Sequence, residues 1–400
     1  MISNIALQNF KCFKNLDLPL GQLTLLAGLN GMGKSTVIQS ILVLRQSFEE
    51  SPTIRNLRLS GDLVDLGTGA DVLYDGADTD QIAVELGASA YLRRAQRTVD
   101  ARYNYYFSYD RTSDILSRLP RQQQKEQSIE VKESATGKWI SPNITERADL
   151  LRRVDHPLFR TTGFQYLSAE RLGPRKMLPL SDENIRLRRL GKQGEYVLHY
   201  LLRFGAETLQ VDDPRMHESA EKYTLADQCL SWLREASPGA RLDIEQIRAA
   251  DAAVARFSFE RKGDVPTTQL RPTNVGFGLS YILPVIVALV GAEKNDLVII
   301  ENPEAHLHPL GQTRLGQLAA RAAASGVQVI IETHSDHFLD GVRIDVRERR
   351  IQAQATKIHY FEKEGAEVRV ITPTLDSNGR LDEWPSGFFD QRDQNLLKLI

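Results

Sequence analysis

Apolar and polar positions alternate over residues 2–7, which predicts a strand, and 9–15 carries the polar residues of a turn. An unbroken apolar run at 23–27 predicts a buried strand that ends in a glycine-rich stretch. From 36 to 48, Val37, Ile38, Ile41, Leu42 and Leu44 recur at helical spacing with no internal Gly or Pro, so a helix follows the glycines directly. Between 87 and 154 the texture changes. YLRRAQRTVDARYNYYFSYDR alternates aromatic and polar residues like exposed strands, and RLPRQQQKEQ reads as a loop. Helices are predicted over 191–204 and 225–236. Residues 272–292 carry no charge, but Gly276, Gly278 and Pro284 interrupt them, which predicts a buried core helix rather than a membrane span. An apolar strand ending in acid (297–301), a helix (310–324) and a second buried strand (327–332) follow. Strand, helix, strand implies a parallel sheet. In the tail, Trp384, Phe388 and Phe389 flank a Pro-Ser-Gly turn and are expected to pack back on the body.

Four hundred residues exceed what one hydrophobic core organises, so two structural units are expected. An apolar share of 42 % with 26 % charged residues excludes disorder and collagen-like structure. A formal net charge of -2 leaves nucleic-acid binding to local patches. Two such patches exist: residues 91–153 hold thirteen Lys/Arg against eight Asp/Glu, and 171–193 hold seven against two. Tyr103, Tyr105, Tyr106, Phe107 and Tyr109 sit among the first group of cations, so the region is either a strand pair with a solvated face or a surface for DNA. Cys12 and Cys229 cannot make a disulfide framework and suit a reducing, cytoplasmic setting. The N-terminus lacks the apolar core of a secretory leader.

The strongest chemical signal is residues 28–36, GLNGMGKST, which match GxxxxGK[ST] between a predicted buried strand and a predicted helix. Asn30, Gly31, Met32 and Gly33 let backbone N–H groups turn inward around phosphate oxygens. Lys34 reaches the β and γ phosphates, Ser35 can hold Mg²⁺, and Thr36 continues the helix start. ATP with Mg²⁺ is the expected ligand. Such a loop needs an acid at the end of a neighbouring strand, and LVIIENPEAHLHP supplies Glu301 as a metal ligand. The next residue is Asn302, whose amide cannot accept a proton as a carboxylate does, so general-base help comes from Glu304, from His334 or not at all. Glu304 is equally suited to cap the following helix. His306, His308, His334 and His337 cluster in sequence, but their spacing does not fit a zinc site. A second glycine-rich helix start, Asn274, Gly276 and Gly278, is another anion site, and one chain cannot easily aim both at one nucleotide. This one is expected to meet the ATP of a second copy.

The order of phosphate loop, long insertion, glycine-rich helix start, acid strand and Thr-His-Ser strand end resembles the ABC-type ATPase heads of the structural-maintenance, recombination-protein-F and overcoming-lysogenization-defect groups. YLSAERLGPR, ENPEAHLHP and the WPSGFFDQ tail are similar to a group of prokaryotic ATPases that end in a domain of unknown function and sit beside antiviral defence genes. The resemblance implies an α/β P-loop NTPase of ABC-ATPase type, with a mixed β-sheet lobe and an inserted α+β region. It divides the chain into an N-terminal lobe (1–86), the insertion (87–265), a C-terminal lobe (266–345) and a tail domain (346–400). It also implies that Glu301 is the Walker B acid, 274–280 the signature segment of a head-to-head dimer and His334 the switch histidine. Asn9, Phe10 and Lys11 match the segment that lies by the nucleotide. Asn302 stands where the family pattern has its catalytic glutamate, and Val275 where the signature has serine, which predicts slow turnover. The expected partners are a second copy, or a higher even number, and a separately encoded nuclease or toxin.

Overall fold

The computed structural model describes residues 1–92, 97–120, 129–132, 136–142, 157–261, 266–365, 367–385, 387–389 and 391–399. In chain order, β1 (Ile2–Phe10), β2 (Phe13–Pro19), β3 (Leu23–Gly28) and α1 (Lys34–Glu50) come first. They are followed by β4 (Asn56–Arg58), α2 (Gly69–Val72), β5 (Gln81–Leu92), β6 (Arg97–Ser108), β7 (Ile115–Ser117), β8 (Ile129–Lys132) and β9 (Trp139–Ile140). Then come β10 (Phe164–Leu167), β11 (Leu178–Pro179), α3 (Asp182–Arg186), α4 (Val197–Phe204), α5 (Leu225–Ala236), β12 (Ala240–Ile247) and β13 (Ala252–Phe259). The chain continues through α6 (Phe277–Gly291), β14 (Leu297–Glu301), α7 (Pro309–Ala324), β15 (Gln328–Glu332) and α8 (Asp336–Arg347). It closes with β16 (Thr356–Glu364), β17 (Glu367–Ile371) and α9 (Gln391–Leu399). Contacts divide it into a first unit (1–21, 28–161, 361–371) and a second (22–27, 162–360, 372–400).

The first unit is built on an antiparallel sheet in the order β2-β1-β5-β6-β8-β9. The polar stretch expected as one turn is a hairpin: Phe10 pairs with Phe13, leaving Lys11 and Cys12 as its tip, and the residues after it form β2. Asn9 and Lys11 take left-handed backbone (φ 53° each), which closes so short a loop. The aromatic run over 103–107 lies on β6, a central strand paired with β5 and β8. Tyr103, Tyr105, Tyr106 and Phe107 are all buried, with Tyr105 against Phe159 and under the Arg118 guanidinium. Alternation here reflects a strand covered on both faces, so these rings form core and cannot offer stacking platforms to bases. Much of the expected loop over 118–127, and of the basic stretch around it, lies outside the described residues.

The second unit centres on parallel strands in the order β10-β14-β15-β3, with β16 next to β3. Residues 297–300 and 329–331 are fully buried, which is why they read as continuous apolar runs rather than alternating ones. The charge-free α6 is buried along most of its length, with Pro284 inside it. No helix among the described residues is long and apolar enough to cross a membrane. The helix expected from 191 starts only at Val197. Gly191 and Gly194 take positive φ (78° and 76°), and a side chain at Gly194 would meet Pro284 at 2.5 Å. In the tail, Phe388 is buried against the rings of Tyr360 and Trp384, whereas Trp384 itself stays 44 % exposed. A separate antiparallel sheet joins β11, β13 and β12.

Candidate functional site

In the first unit, residues 28–36 build the candidate phosphate loop out of main chain. Gly28, Gly31 and Gly33 have φ of 136°, 77° and 89°, values that a side chain would strain. A Cβ at Gly28 would also press to 2.3 Å of the Phe361 carbonyl, whereas one at Gly31 would meet nothing within 4 Å. Asn30 and Gly31 are exposed and Met32 is half-buried. Gly33 caps α1 without a side-chain bond, and the first turn carries no acid, so the positive end of the helix dipole is left uncompensated. Lys34 is 2 % exposed, and its Nζ donates to the carbonyls of Gly28 (2.9 Å) and Leu29 (2.8 Å). An ammonium that donates to two main-chain carbonyls beside a helix start without a side-chain cap suits a triphosphate.

The hairpin tip flanks the start of this helix. Lys11 Nζ donates to Gln39 Oε1 (2.7 Å), and Cys12 Sγ lies 3.7 Å from Thr36 Oγ1. A Cβ at Gly33 would stand 2.6 Å from the Phe13 ring. Burial lowers the Lys11 pKa and raises that of Cys12. Asn9 faces elsewhere: its amide donates to Thr79 Oγ1 and the Gln81 carbonyl. Phe10 is fully buried in the core.

In the second unit, the acids gather where parallel strands end. Glu301 pairs with Glu332, and Glu332 with Leu26 of β3, two residues before the phosphate loop begins. Glu301 Oε1 accepts the Tyr166 hydroxyl (3.1 Å) and Oε2 the Ala169 N–H (3.2 Å). Burial nevertheless pushes its carboxyl above the ordinary range. The Tyr166 phenol is driven well up by its own burial and by Glu301. Arg171, 3 % exposed, donates to the carbonyls of Glu301 and Asn302, both at 2.7 Å, and of Ser168 at 3.0 Å. Asn302 adopts φ 44° and its buried Oδ1 has no hydrogen-bond partner among the described residues. The next residue, Pro303, carries the chain into a tight turn.

Glu304 does not cap the following helix, because His308 Nδ1 accepts the Leu310 N–H and caps α7 itself. Glu304 Oε1 instead accepts the backbone N–H of His334 (2.8 Å), whose side chain is exposed. Its Oε2 is buried without a hydrogen-bond partner among the described residues, and burial raises its pKa. His306 packs on the rings of Tyr281 (4.6 Å) and Phe277 (5.6 Å) at the start of α6. Ser335 caps α8 through the Phe338 N–H. Asn274 and Gly276 are exposed, and a Cβ at Gly278 would come within 2.9 Å of the His306 carbonyl. Gly276 caps α6 without a side-chain bond, and its first turn holds no acid, so this start also leaves its dipole uncompensated.

Glu301, Asn302, Glu304, His334 and Gly278 are therefore neighbours through direct bonds or one shared loop. Within the second unit, the Glu301 carboxylate and the Glu304 oxygen that lacks a hydrogen-bond partner among the described residues are oxygen donors of the kind a hard divalent cation takes. Tyr166 and Arg171 escaped the sequence reading. Their partners are main-chain atoms and one carboxylate far along the chain, and the sequence marks them only as part of YLSAERLGPR, a stretch that carries the resemblance.

Residues 23–340 match the family model described as AAA domain, putative AbiEii toxin, Type IV TA system, and 351–399 match one described as protein of unknown function (DUF3696). The chain is similar to the OLD nuclease of Thermus scotoductus (strain ATCC 700910 / SA-01), 38 % identical over 69 residues. That segment is 17 % of this chain and 12 % of the nuclease, so the match spans about an eighth of the curated relative. Among solved structures, the SMC head bound to the C-winged helix domain of ScpA aligns with 94 % of this chain and 98 % of its own, at 14 % identity and TM-score 0.46. The SMC head domain from Thermotoga maritima aligns with 92 % of this chain and 98 % of its own, at 10 % identity and TM-score 0.41. With a family model covering most of its length, this chain belongs to the AAA domain family of the putative AbiEii toxin, Type IV TA system description.

Proposed function

We propose that the chain is an ATPase whose copies pair head to head on nucleotide, and that pairing gates a separately encoded effector, a nuclease or a toxin, in prokaryotic antiviral defence. The phosphate loop is the observation that carries this: an uncapped helix start without acid, three glycines at positive φ, and Lys34 resting on two carbonyls. On binding, Lys34 would trade those carbonyls for β and γ phosphate oxygens, while Ser35 and Glu301 would hold the metal. Bound Mg²⁺ would draw charge from the transferring phosphoryl group. Glu304, with one oxygen anchored on His334 and the other unpartnered, is suited to take the proton of the attacking water. The start of α6 at Asn274, Gly276 and Gly278 would receive the nucleotide of the second copy. The toxin in the family description and the nuclease activity of the relative support a link to an effector.

A second reading is a nucleotide-gated scaffold with marginal hydrolysis, favoured by Asn302, whose amide supplies no base. A third, direct DNA binding, rests on the exposed cations Arg175, Lys176 and Arg186, since the rings of Tyr103, Tyr105, Tyr106 and Phe107 are buried. Mass in solution with and without ATP and Mg²⁺, with Lys34→Ala as control, tests pairing: a mass unchanged by nucleotide would remove it. Phosphate release by the wild type and Asn302→Glu separates ATPase from scaffold, because background turnover with intact pairing favours the scaffold.

A further inference from the structure

One short stretch, residues 166–171, supplies the side-chain and carbonyl anchors described above for the end of the acid strand, beside its pairing with Glu332. Tyr166 and Ala169 hold the two oxygens of Glu301, and Arg171 holds the backbone carbonyls of Glu301 and Asn302. The Glu301 carbonyl belongs to the last residue of β14 and the Asn302 carbonyl to the turn just after it, where the backbone takes φ 44°. A planar guanidinium accepts this geometry and a lysine does not, since its fork presents two donors at fixed spacing. Burial lowers the Arg171 pKa to about 10, still far enough above neutrality to keep the charge. The central carbon of the guanidinium lies 5.5 Å from the centre of the Tyr281 ring, and Tyr281 packs on His306. Arg171 thus touches both the end of β14 and the opening turns of α6.

Resting on the ATPase reading, we propose that Arg171 is a positioning residue that sets the Glu301–Asn302 backbone and, through Tyr281, ties it to the glycine-rich start of α6. It acts through Glu301 rather than on the nucleotide. Consequently its loss should spare the part of ATP affinity that the phosphate loop supplies and remove the part that depends on Mg²⁺.

The test measures ATP affinity by fluorescence with Mg²⁺ and with EDTA, together with kcat, KM and thermal melting, in wild type, Arg171→Lys, Tyr281→Phe and Tyr281→Leu. For Arg171→Lys, affinity in EDTA should stay within about twofold, the tightening by Mg²⁺ should fall about tenfold, and kcat should fall about 30-fold with KM changed less than about threefold. Tyr281→Phe keeps the ring and should behave as wild type, whereas Tyr281→Leu should lose about fivefold of the Mg²⁺ step. An Arg171→Lys protein that melts like wild type and keeps both the Mg²⁺ step and kcat within about twofold would overturn the proposal. If Arg171→Lys does not fold, the Tyr281 pair decides, and equal values for Phe and Leu would overturn it. A wild type that binds no more ATP than Lys34→Ala would remove the ATPase reading and, with it, this role. ATP binding with an unaltered Mg²⁺ step in Arg171→Lys removes the role alone.

Discussion

The phosphate loop and the end of the acid strand are built from different materials. Residues 28–36 rely on glycine backbone and one lysine, and Lys34 donates there to carbonyls five and six residues away. The acid end depends on segments far apart in sequence: Tyr166 and Arg171 reach across 130 residues or more, and His334 across 30. The first construction is local and survives small shifts elsewhere. The second holds only when the whole parallel sheet is in register, because Glu301, Glu332 and Leu26 must lie level. Phosphate capture and metal-dependent chemistry should therefore separate under mutation.

Lys34→Ala gives the largest expected effect. ATP affinity should fall about 100-fold, equally with Mg²⁺ and with EDTA, since about 2–3 kcal/mol of charge-assisted bonding to phosphate is lost. Titration calorimetry checks it, and retained binding would break the contrast from the loop side. Glu301→Gln should leave EDTA affinity unchanged while weakening the Mg²⁺-dependent step about 30-fold, because a hard cation loses an anionic ligand. A loss of equal size in EDTA would show that the two regions are not separable. Tyr166→Phe should weaken the same step by only about threefold to tenfold, the worth of one hydrogen bond to a charged group.

The smallest effect concerns stability and has the opposite sign. Glu304 has a raised carboxyl pKa in the fold, from burial first, so the folded protein binds a proton more readily than the unfolded chain. Stability then falls as pH rises from the ordinary value of 4.5 through the folded value, and the penalty is complete above it. Glu304→Gln removes that penalty. Calorimetric melting should rise by about 2 °C at pH 7, while turnover drops. The gain should shrink as pH falls and disappear well below the ordinary value of 4.5, where wild type is protonated in both states. A melting gain that persists in acid would point to packing rather than charge.

The same contrast explains what the sequence reveals. The loop is contiguous and carries its own flanking strand and helix, so β3 and α1 are visible from pattern alone. The strands β14 and β15, the helices α5 and α7, and buried α6 follow from apolar runs or helical spacing, because their burial leaves an uninterrupted or periodic trace. Strand β2 hides behind the polar hairpin tip, and α4 starts late because two glycines at positive φ cannot belong to its first turn. The rings of β6 look like an exposed face, since alternation does not tell whether the second face of a strand is covered. Arg171 is invisible for a different reason. A guanidinium that serves carbonyl oxygens has partners with no sequence identity, and three-dimensional contact is the only mark it leaves.

The left-handed turn at Asn302 is followed by a residue that shapes how the molecule ages. Spontaneous conversion of an asparagine to an acid proceeds through a cyclic imide formed by attack of the next residue's amide nitrogen, and Pro303 has no hydrogen on that nitrogen. The amide at 302 is thus shielded from slow hydrolysis by its own neighbour. Old and freshly made molecules should therefore carry the same side chain at position 302.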